Sequence, residues 1–486
     1  MLFNSVPYLI FFPVVLALYW LLPSSFRRPL LLVASYIFYM SWLPVYGILI
    51  VALSLVNYFI GLMINYKRSL AKVIFIFGIV FNLGMLCYFK YTNFLISSFN
   101  ELAQKFSPFF GHGATLPLGL LDIILPLGIS FFVFEFIHYL TDVYKGDQPI
   151  KNPVDFGLFA AFFPSQIAGP IKRYQDFVKQ LGHCDVFEAK VFNEGLVLLL
   201  QGLFKKIALS DNLAPIANAG FAGAANLGTV DAWIASIAFA LQIYFDFSGY
   251  TDMGRGSAKM LGFSLPDNFD FPYLASSLSD FWKRWHISLS SWLRDYLYIP
   301  LGGGRCSRFQ KHRNLLITML LGGLWHGAAW HFVIWGAFHG AGLVVNHSYD
   351  EVAGKSAVLQ KFHASVLGKI FSSVLTFLAV LVGWVFFRAD NSEQACQILR
   401  AMVSIKESGP VLEMLYQSPV TVALVLYSAY ASIYSLPRFK SLPVLDALQR
   451  KLSFVLPARV VVYASVFLAA LGFCPSQPSP FIYFQF

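Results

Sequence analysis

Charge is scarce in this chain. Of 486 residues only 12% are Asp, Glu, Lys or Arg, against 57% hydrophobic, with a mean hydropathy of +0.63. A soluble chain of this length would divide into two or more solvated domains, and that shortage of charge argues against it. Cysteine is also rare. Cys87, Cys184, Cys306, Cys396 and Cys474 are scattered, with no pair at metal-ligand spacing, so they read as small apolar residues or isolated thiols. Several catalytic signatures are missing. The sequence has no G-x-S-x-G elbow and no H-E-x-x-H, and Gly354-Lys355-Ser356 lacks the earlier glycine of a phosphate-cradling loop. The spacing from His326 to His331 and His339 matches no recognised metal site, so a bound metal is not expected. These absences weaken hydrolase, metalloprotease and ATP-driven pump readings.

What the chain does have is long apolar runs. They are continuous and near the length that spans a bilayer as helix, rather than alternating as in a barrel strand. The expected class is therefore an all-α polytopic membrane protein, because backbone in lipid must satisfy its hydrogen bonds within helices. The net charge of +10 sits in short loops between the runs. That is the positive-inside pattern rather than a nucleic-acid surface, and no nucleic-acid partner is expected. Membrane lipid is the expected surrounding.

Followed in order, the runs give about eleven or twelve spans. Val6 to Leu22 reads as a retained first span, since it lacks a basic leading region and no small-residue cleavage site follows, and Arg27 and Arg28 after it put the N-terminus outside. Arg27 and Arg28, then Lys67, Arg68 and Lys72, then Lys145 and Lys151 mark successive inner loops. Leu121 to Leu140 is expected as one span. Phe156 to Ile171 is too interrupted by Pro and Gly for a clean span and predicts a re-entrant or broken helix. Gly195 to Leu209 crosses outward, Asp211 to Val230 is expected as a loop, and Ala232 to Phe247 returns. Leu315 to Gly340 contains GG and WHG and predicts a broken helix or hairpin. Ile370 to Phe387, Val420 to Tyr434 and Val460 to Phe473 complete the count, with PFIYFQF outside. No repeat, low-complexity tract or soluble domain interrupts residues 1–486, which read as a single integral-membrane domain.

Unusual chemistry concentrates between Asp280 and Gly340, which hold five of the ten histidines and six of the ten tryptophans. His326 lies inside an apolar stretch, where an imidazole is costly to bury and marks a functional site or a cross-helix hydrogen bond. Gly322, Gly323 and Gly327 strip side-chain bulk from around it, for a ligand or for close helix approach. A neutral imidazole there suits taking a hydroxyl or thiol proton in acyl transfer. His331 and His339 have no such surroundings and read as structural. KRWHISLSSWLRDYLYIPLGG predicts an amphipathic interfacial helix. It either lies on the membrane surface or carries His286 and a basic face at the mouth of a pocket for an anionic, phosphate-bearing donor. In YFDFSGYTDMG, Asp246 and Asp252 are expected at the inner end of a span, pairing with Arg255 or Lys259. Alternatively they form a polar pocket wall with Tyr244, Ser248 and Tyr250. Glu135 and His138, three residues apart, are expected to satisfy each other.

The blocks FNSVPYLIFFPVVLALYW, FFPSQIAGPIKRY, YFDFSGYTDMG, FWKRWHISLSSWLRDYLYIPLGG, GGLWHGAAW, GWVFFRAD and PFIYFQF cover nearly the whole chain in order. Together they resemble the membrane-bound O-acyltransferase family, in its bacterial branch typified by the membrane subunit of alginate O-acetylation. The resemblance implies a ring of helices around a thinned membrane region, with a central funnel leading to an active-site histidine that matches His326. His286 matches the second family histidine. It further implies acetyl-CoA as donor and a bacterial inner-membrane location with both termini outside. The acyl group would pass to an extracytoplasmic SGNH-type acetyltransferase or polymer-binding partner that modifies an exported polysaccharide such as alginate, cellulose or peptidoglycan. On this view Lys283, Arg284 and Trp285 face the donor, with Tyr244, Asp246 and Ser248 walling the same pocket. Rival readings are D-alanyl or other acyl transfer from a carrier protein, an acetyl conduit or transporter, and a scaffold with no chemistry of its own. The inverted repeats common in transporters are not apparent.

Overall fold

The computed structural model describes residues 1–110, 117–167, 169–182, 186–407, 409–420, 472–474 and 479–482. The spans expected around 420–434 and 460–473, and the basic segment between them, lie outside the described residues but for their edges. Among the described residues there is no β-strand, only an isolated bridge between Phe269 and Trp285. The described secondary structure is otherwise helical, as the apolar runs require.

The first unit comprises α1 (Val6–Leu21), α2 (Ser24–Met40), α3 (Pro44–Tyr66), α4 (Ala71–Leu86) and α5 (Thr92–Phe110). A π-helical segment, Cys87–Tyr91, joins α4 to α5 without a break in direction. Large apolar side chains on these helices point outward and are exposed: Ile10 and Val14 on α1, Ile48 and Phe59 on α3, Val73, Phe77 and Val80 on α4. Exposed apolar stripes at helical spacing are what a lipid-facing surface demands. Four helical stretches among the described residues are long and apolar enough to cross a bilayer: Pro44–Tyr66, Arg68–Phe106, Thr229–Met260 and Val366–Arg388. The other apolar segments are built from shorter pieces.

Leu121 to Leu140 is one such case. Residues 117–128 are not helical, and α6 (Ile129–Lys145) starts only after Gly128, at φ 75°. The broken segment after it matches its Pro/Gly pattern: α7 (Pro153–Ala161) is capped by Asn152, a single 3₁₀ turn covers Phe163–Ser165, and non-helical residues 170–173 lead into α8 (Tyr174–Leu181).

The spine of the second unit is α9 (Ala189–Phe204), a π segment Lys205–Ser210, α10 (Asp211–Ala222) and α11 (Thr229–Met260). The 32-residue α11 is the most buried of the long helices. It meets α9 through two glycine pairs seven residues apart. A Cβ on Gly202 would fall 2.5 Å from Gly249 O, and one on Gly195 would fall 2.7 Å from Gly256 O. In lipid, where apolar association between helices gains little from water exclusion, such small-residue seams allow the close packing that holds helices together. Two expectations are corrected here. Asp211 to Val230 is largely helix rather than loop, and α11 runs well past Phe247. Asp246 and Asp252 therefore lie inside a helix, not at its inner end.

The third unit is α12 (Leu278–Arg284), α13 (Ile287–Leu293), a π segment Arg294–Tyr298, α14 (Arg308–His326) and α15 (Trp330–Ala353). After it come α16 (Ala357–Ala364), α17 (Val366–Arg388), α18 (Ser392–Val403) and α19 (Pro410–Gln417). The interfacial stretch expected as one amphipathic helix is broken in two at Trp285 and His286. Tertiary hydrogen bonds explain the break. Asp270 N donates to Arg284 O and Ile287 N to Asn268 O, each at 3.0 Å, and Asn268 Oδ1 accepts from Ser288 N at 3.1 Å. The intervening His286 takes φ 44°, a left-handed conformation uncommon for a non-glycine residue and often found at functional sites.

Candidate active site

α14 starts at a capping box, in which Ser307 Oγ accepts from Gln310 N and the Gln310 side chain accepts from Ser307 N. It ends at His326. Gly327 and Ala329 are extended, and α15 returns alongside, so the expected hairpin forms with His326 at its apex. The glycines around His326 serve this turn. A Cβ on Gly323 would strike Phe332 O, one on Gly336 would strike Met319 O, and one on Gly327 would overlap the Phe332 ring. Gly322 is different, since its Cβ would reach only ordinary contact with Leu293 Cδ1 at 3.4 Å. Of the two roles open to these glycines, Gly323 and Gly327 take close approach, and Gly322 alone leaves room.

The His326 ring is 6% exposed and enclosed by aromatic faces met edge-on: Trp325 at 5.0 Å, Trp335 at 5.1 Å and Phe387 at 5.3 Å between centroids. His286 is fully buried. Its ring lies 6.0 Å from Trp325 and 4.7 Å from Phe247, and neither ring nitrogen has a hydrogen-bond partner among the described residues. The fold thus brings two histidines forty positions apart to one indole. His339 lies one ring further on, 4.8 Å from Trp335, and is also buried, with no hydrogen-bond partner for its ring among the described residues.

Two open cavities flank α13, sharing Ile287 and Ser291. One, of about 330 Å³, is lined by Lys283, Arg294, Trp282, Met319 and His347 among others. The other, of about 310 Å³, carries Lys172, Arg173, Asp176, Asp267 and Ser288. Neither His326 nor His286 lines these two cavities, and the first connects to His326 only through intervening rings. Trp282 lies 5.7 Å from Trp335, which in turn contacts His326, and Met319 occupies the same face of α14 two turns before His326.

The remaining predicted residues are placed as follows. Arg284 is held by Asp280 at 2.9 Å and Asp270 at 3.7 Å. Trp285 is 1% exposed among Phe269, Phe281 and Trp384, and Tyr244 abuts the same cluster. Asp246 is buried, paired with Lys206 at 2.9 Å, and accepts from Ile482 N at 2.6 Å. The Ser248 hydroxyl is buried with no hydrogen-bond partner among the described residues. None of these five lines the cavity beside Lys283. Asp252 pairs with Lys205 at 2.7 Å and more distantly with Arg255 at 3.9 Å, while Lys259 reaches Glu194 instead. Glu135 and His138 do not satisfy each other. Glu135 is paired with Lys172, and His138, whose ring nitrogens have no hydrogen-bond partner among the described residues, lies between the rings of Phe159 and Tyr296.

Two contributors escaped the sequence reading. Phe247, inside the YFDFSGYTDMG block, touches His286 in place of its polar neighbours. Lys90 reaches the end of α14 from the π segment Cys87–Tyr91. A lone lysine in an apolar span was the available signal. Among the described residues, no group of three His, Cys, Asp or Glu side chains is placed to hold a metal ion.

The structure is that of a multi-pass helical membrane protein, with a buried histidine at the apex of the α14–α15 hairpin. Residues 150–382 match the membrane-bound O-acyltransferase family. Along its entire length the chain is 39% identical to a probable alginate O-acetylase of Azotobacter vinelandii, all of which is covered. It is 44% identical to the probable alginate O-acetylase of Pseudomonas aeruginosa over 83% of this chain and 75% of that one. It is 37% identical to the peptidoglycan O-acetyltransferase of Helicobacter pylori over 83% and 80% respectively. The chain belongs to the membrane-bound O-acyltransferase family and is an O-acyltransferase.

Proposed function

We propose that this protein takes an acetyl group from cytoplasmic acetyl-CoA and moves it across the inner membrane for O-acetylation of an exported or cell-surface polysaccharide. The observation that carries this reading is the position of His326 at the hairpin apex. Two indoles, Trp335 and Trp282, stand between it and a cavity rimmed by Lys283 and Arg294, in a chain whose full-length relative is a probable alginate O-acetylase. Cationic side chains at that rim suit the phosphates of a coenzyme thioester.

His326 acts as general base. It accepts the proton of an acceptor hydroxyl, the oxygen attacks the thioester carbonyl, and the carbon–sulfur bond breaks. The proton then leaves with the thiol. His286, on the other side of Trp325, orients the donor carbonyl. The acceptor hydroxyl arrives from the outer side and belongs to an extracytoplasmic acetyltransferase or polymer-binding partner. A carboxylated or amino-sugar polymer then receives the acetyl group.

The test is the full-length chain reconstituted in proteoliposomes with labelled acetyl-CoA and the acceptor. His326→Ala should reduce transfer by about 100-fold or more while leaving expression and melting behaviour unchanged. Normal transfer in that variant removes His326 as base, and transfer from an acylated carrier protein but not from acetyl-CoA replaces the donor.

A further inference from the structure

α14 stops inside the apolar bundle, where its last carbonyls have no helical partner and no bulk water to turn to. Three of them are met by side chains from a distant helix. Lys90 Nζ donates to Trp325 O at 2.5 Å and to His326 O at 3.0 Å, and the Tyr91 hydroxyl donates to Leu324 O at 2.7 Å. Both donors come from the π segment Cys87–Tyr91. Its wider turn narrows the angle between consecutive side chains, so neighbouring residues 90 and 91 reach one target. Single π turns inside α-helices concentrate at functional sites. The same segment packs against the apex, with Leu86, Phe89 and Tyr91 in one apolar cluster with Trp325.

The local backbone caps this end with a single long bond. Gly327 N–H reaches Gly323 O at 3.4 Å, and Gly327 itself is extended, so the chain turns away from the helix. An ammonium at a helix C-terminus also complements the negative end of the helix dipole. We infer that Lys90 is a positioning residue. By gripping the carbonyls of Trp325 and His326 from across the bundle, it sets the direction in which the His326 side chain leaves the helix end, with Tyr91 steadying the residue before. The inference rests on the proposed role of His326 as base. It places the third essential side chain of the site 236 positions upstream, on a helix that lines neither cavity beside α13.

The experiment compares wild type, Lys90→Met, Lys90→Arg and Tyr91→Phe as full-length protein in proteoliposomes with acetyl-CoA. Hydrogen exchange of the peptide covering 322–332 is followed alongside. Lys90→Met should lower kcat by about 10- to 100-fold with KM for acetyl-CoA unchanged, since a shift of about 1 Å at a reacting group costs about that much. Exchange at the α14 end should quicken in the same variant. Lys90→Arg, which keeps charge and donors, should restore most of kcat, and Tyr91→Phe should have the smaller effect. Wild-type kcat in Lys90→Met overturns the inference. So does a loss shared equally by kcat, KM and melting temperature with no rescue by arginine, which is the signature of a cap that only holds the fold. If wild type itself does not use acetyl-CoA, the donor assignment fails instead. Exchange then decides alone: an unchanged rate in Lys90→Met rejects the grip on α14, and a faster one upholds it.

Discussion

Lys172 and Glu135 form a two-point ion pair inside the bundle, with Nζ 2.8 and 2.9 Å from the two carboxylate oxygens and both side chains almost wholly enclosed. The pair ties the non-helical chain after the broken segment to the middle of α6. The lysine ammonium also lies over the Phe159 and Phe177 rings.

Breaking one side of that pair should be costly. Glu135→Gln or Lys172→Met strands a buried charge, and each should destabilise the fold by about 3 to 5 kcal/mol. The double variant Glu135→Leu/Lys172→Met should recover much of the loss, because two apolar groups replace two paired charges. Thermal unfolding in detergent across the four proteins checks this. A double variant no better than either single one would mean that the pair does not act as a unit.

The glycines at the hairpin should separate by position. Gly323→Ala puts a methyl against the Phe332 carbonyl and should destabilise by about 1 to 3 kcal/mol, with reduced yield of folded protein. Gly322→Ala, whose Cβ meets Leu293 at ordinary contact distance, should fold as wild type. Melting curves of the two variants side by side provide the measurement. Equal destabilisation would contradict the hairpin packing.

Lys283 and Arg284 are sequence neighbours with different surroundings. Lys283 lines the open cavity, whereas Arg284 is tied to Asp280 and Asp270. Lys283→Glu should raise KM for acetyl-CoA by about tenfold, equivalent to about 1.4 kcal/mol, and make it more salt-sensitive. Arg284→Gln should act on melting temperature more than on KM. The readout is KM at two ionic strengths.

His339 should be replaceable. Its ring nitrogens have no hydrogen-bond partner among the described residues, and its neighbours are Trp282, Trp335, Phe281 and Phe338. Exchanging an unsatisfied buried polar group for an apolar one of similar shape is close to neutral. His339→Phe should keep transfer within about threefold of wild type, in contrast to His326→Ala. A loss matching that of His326→Ala would make His339 a working member of the site.

The amino-acid order determined by itself whatever depends on short-range pattern. Continuous apolar runs imposed helices in a membrane, because lipid leaves backbone groups no other partners. GG and WHG inside the run from Leu315 to Gly340 marked a turn, and that turn sets His326 at an apex. Pro and Gly between Phe156 and Ile171 likewise announced a segment that is not a continuous helix. Pairings across the bundle were a different matter. Nothing local says that Glu135 will choose Lys172 over His138, that His286 will face Phe247 rather than Asp246, or that Asp211 to Val230 will coil into α10. The break at His286 was hidden for the same reason, since it follows from hydrogen bonds to residues 268–270 and not from the helix propensity of its own stretch. A buried charge takes whichever partner the packing brings within about 3 Å. Only the tertiary structure decides that distance, and it alone delivers Lys90 to the carbonyls beneath His326.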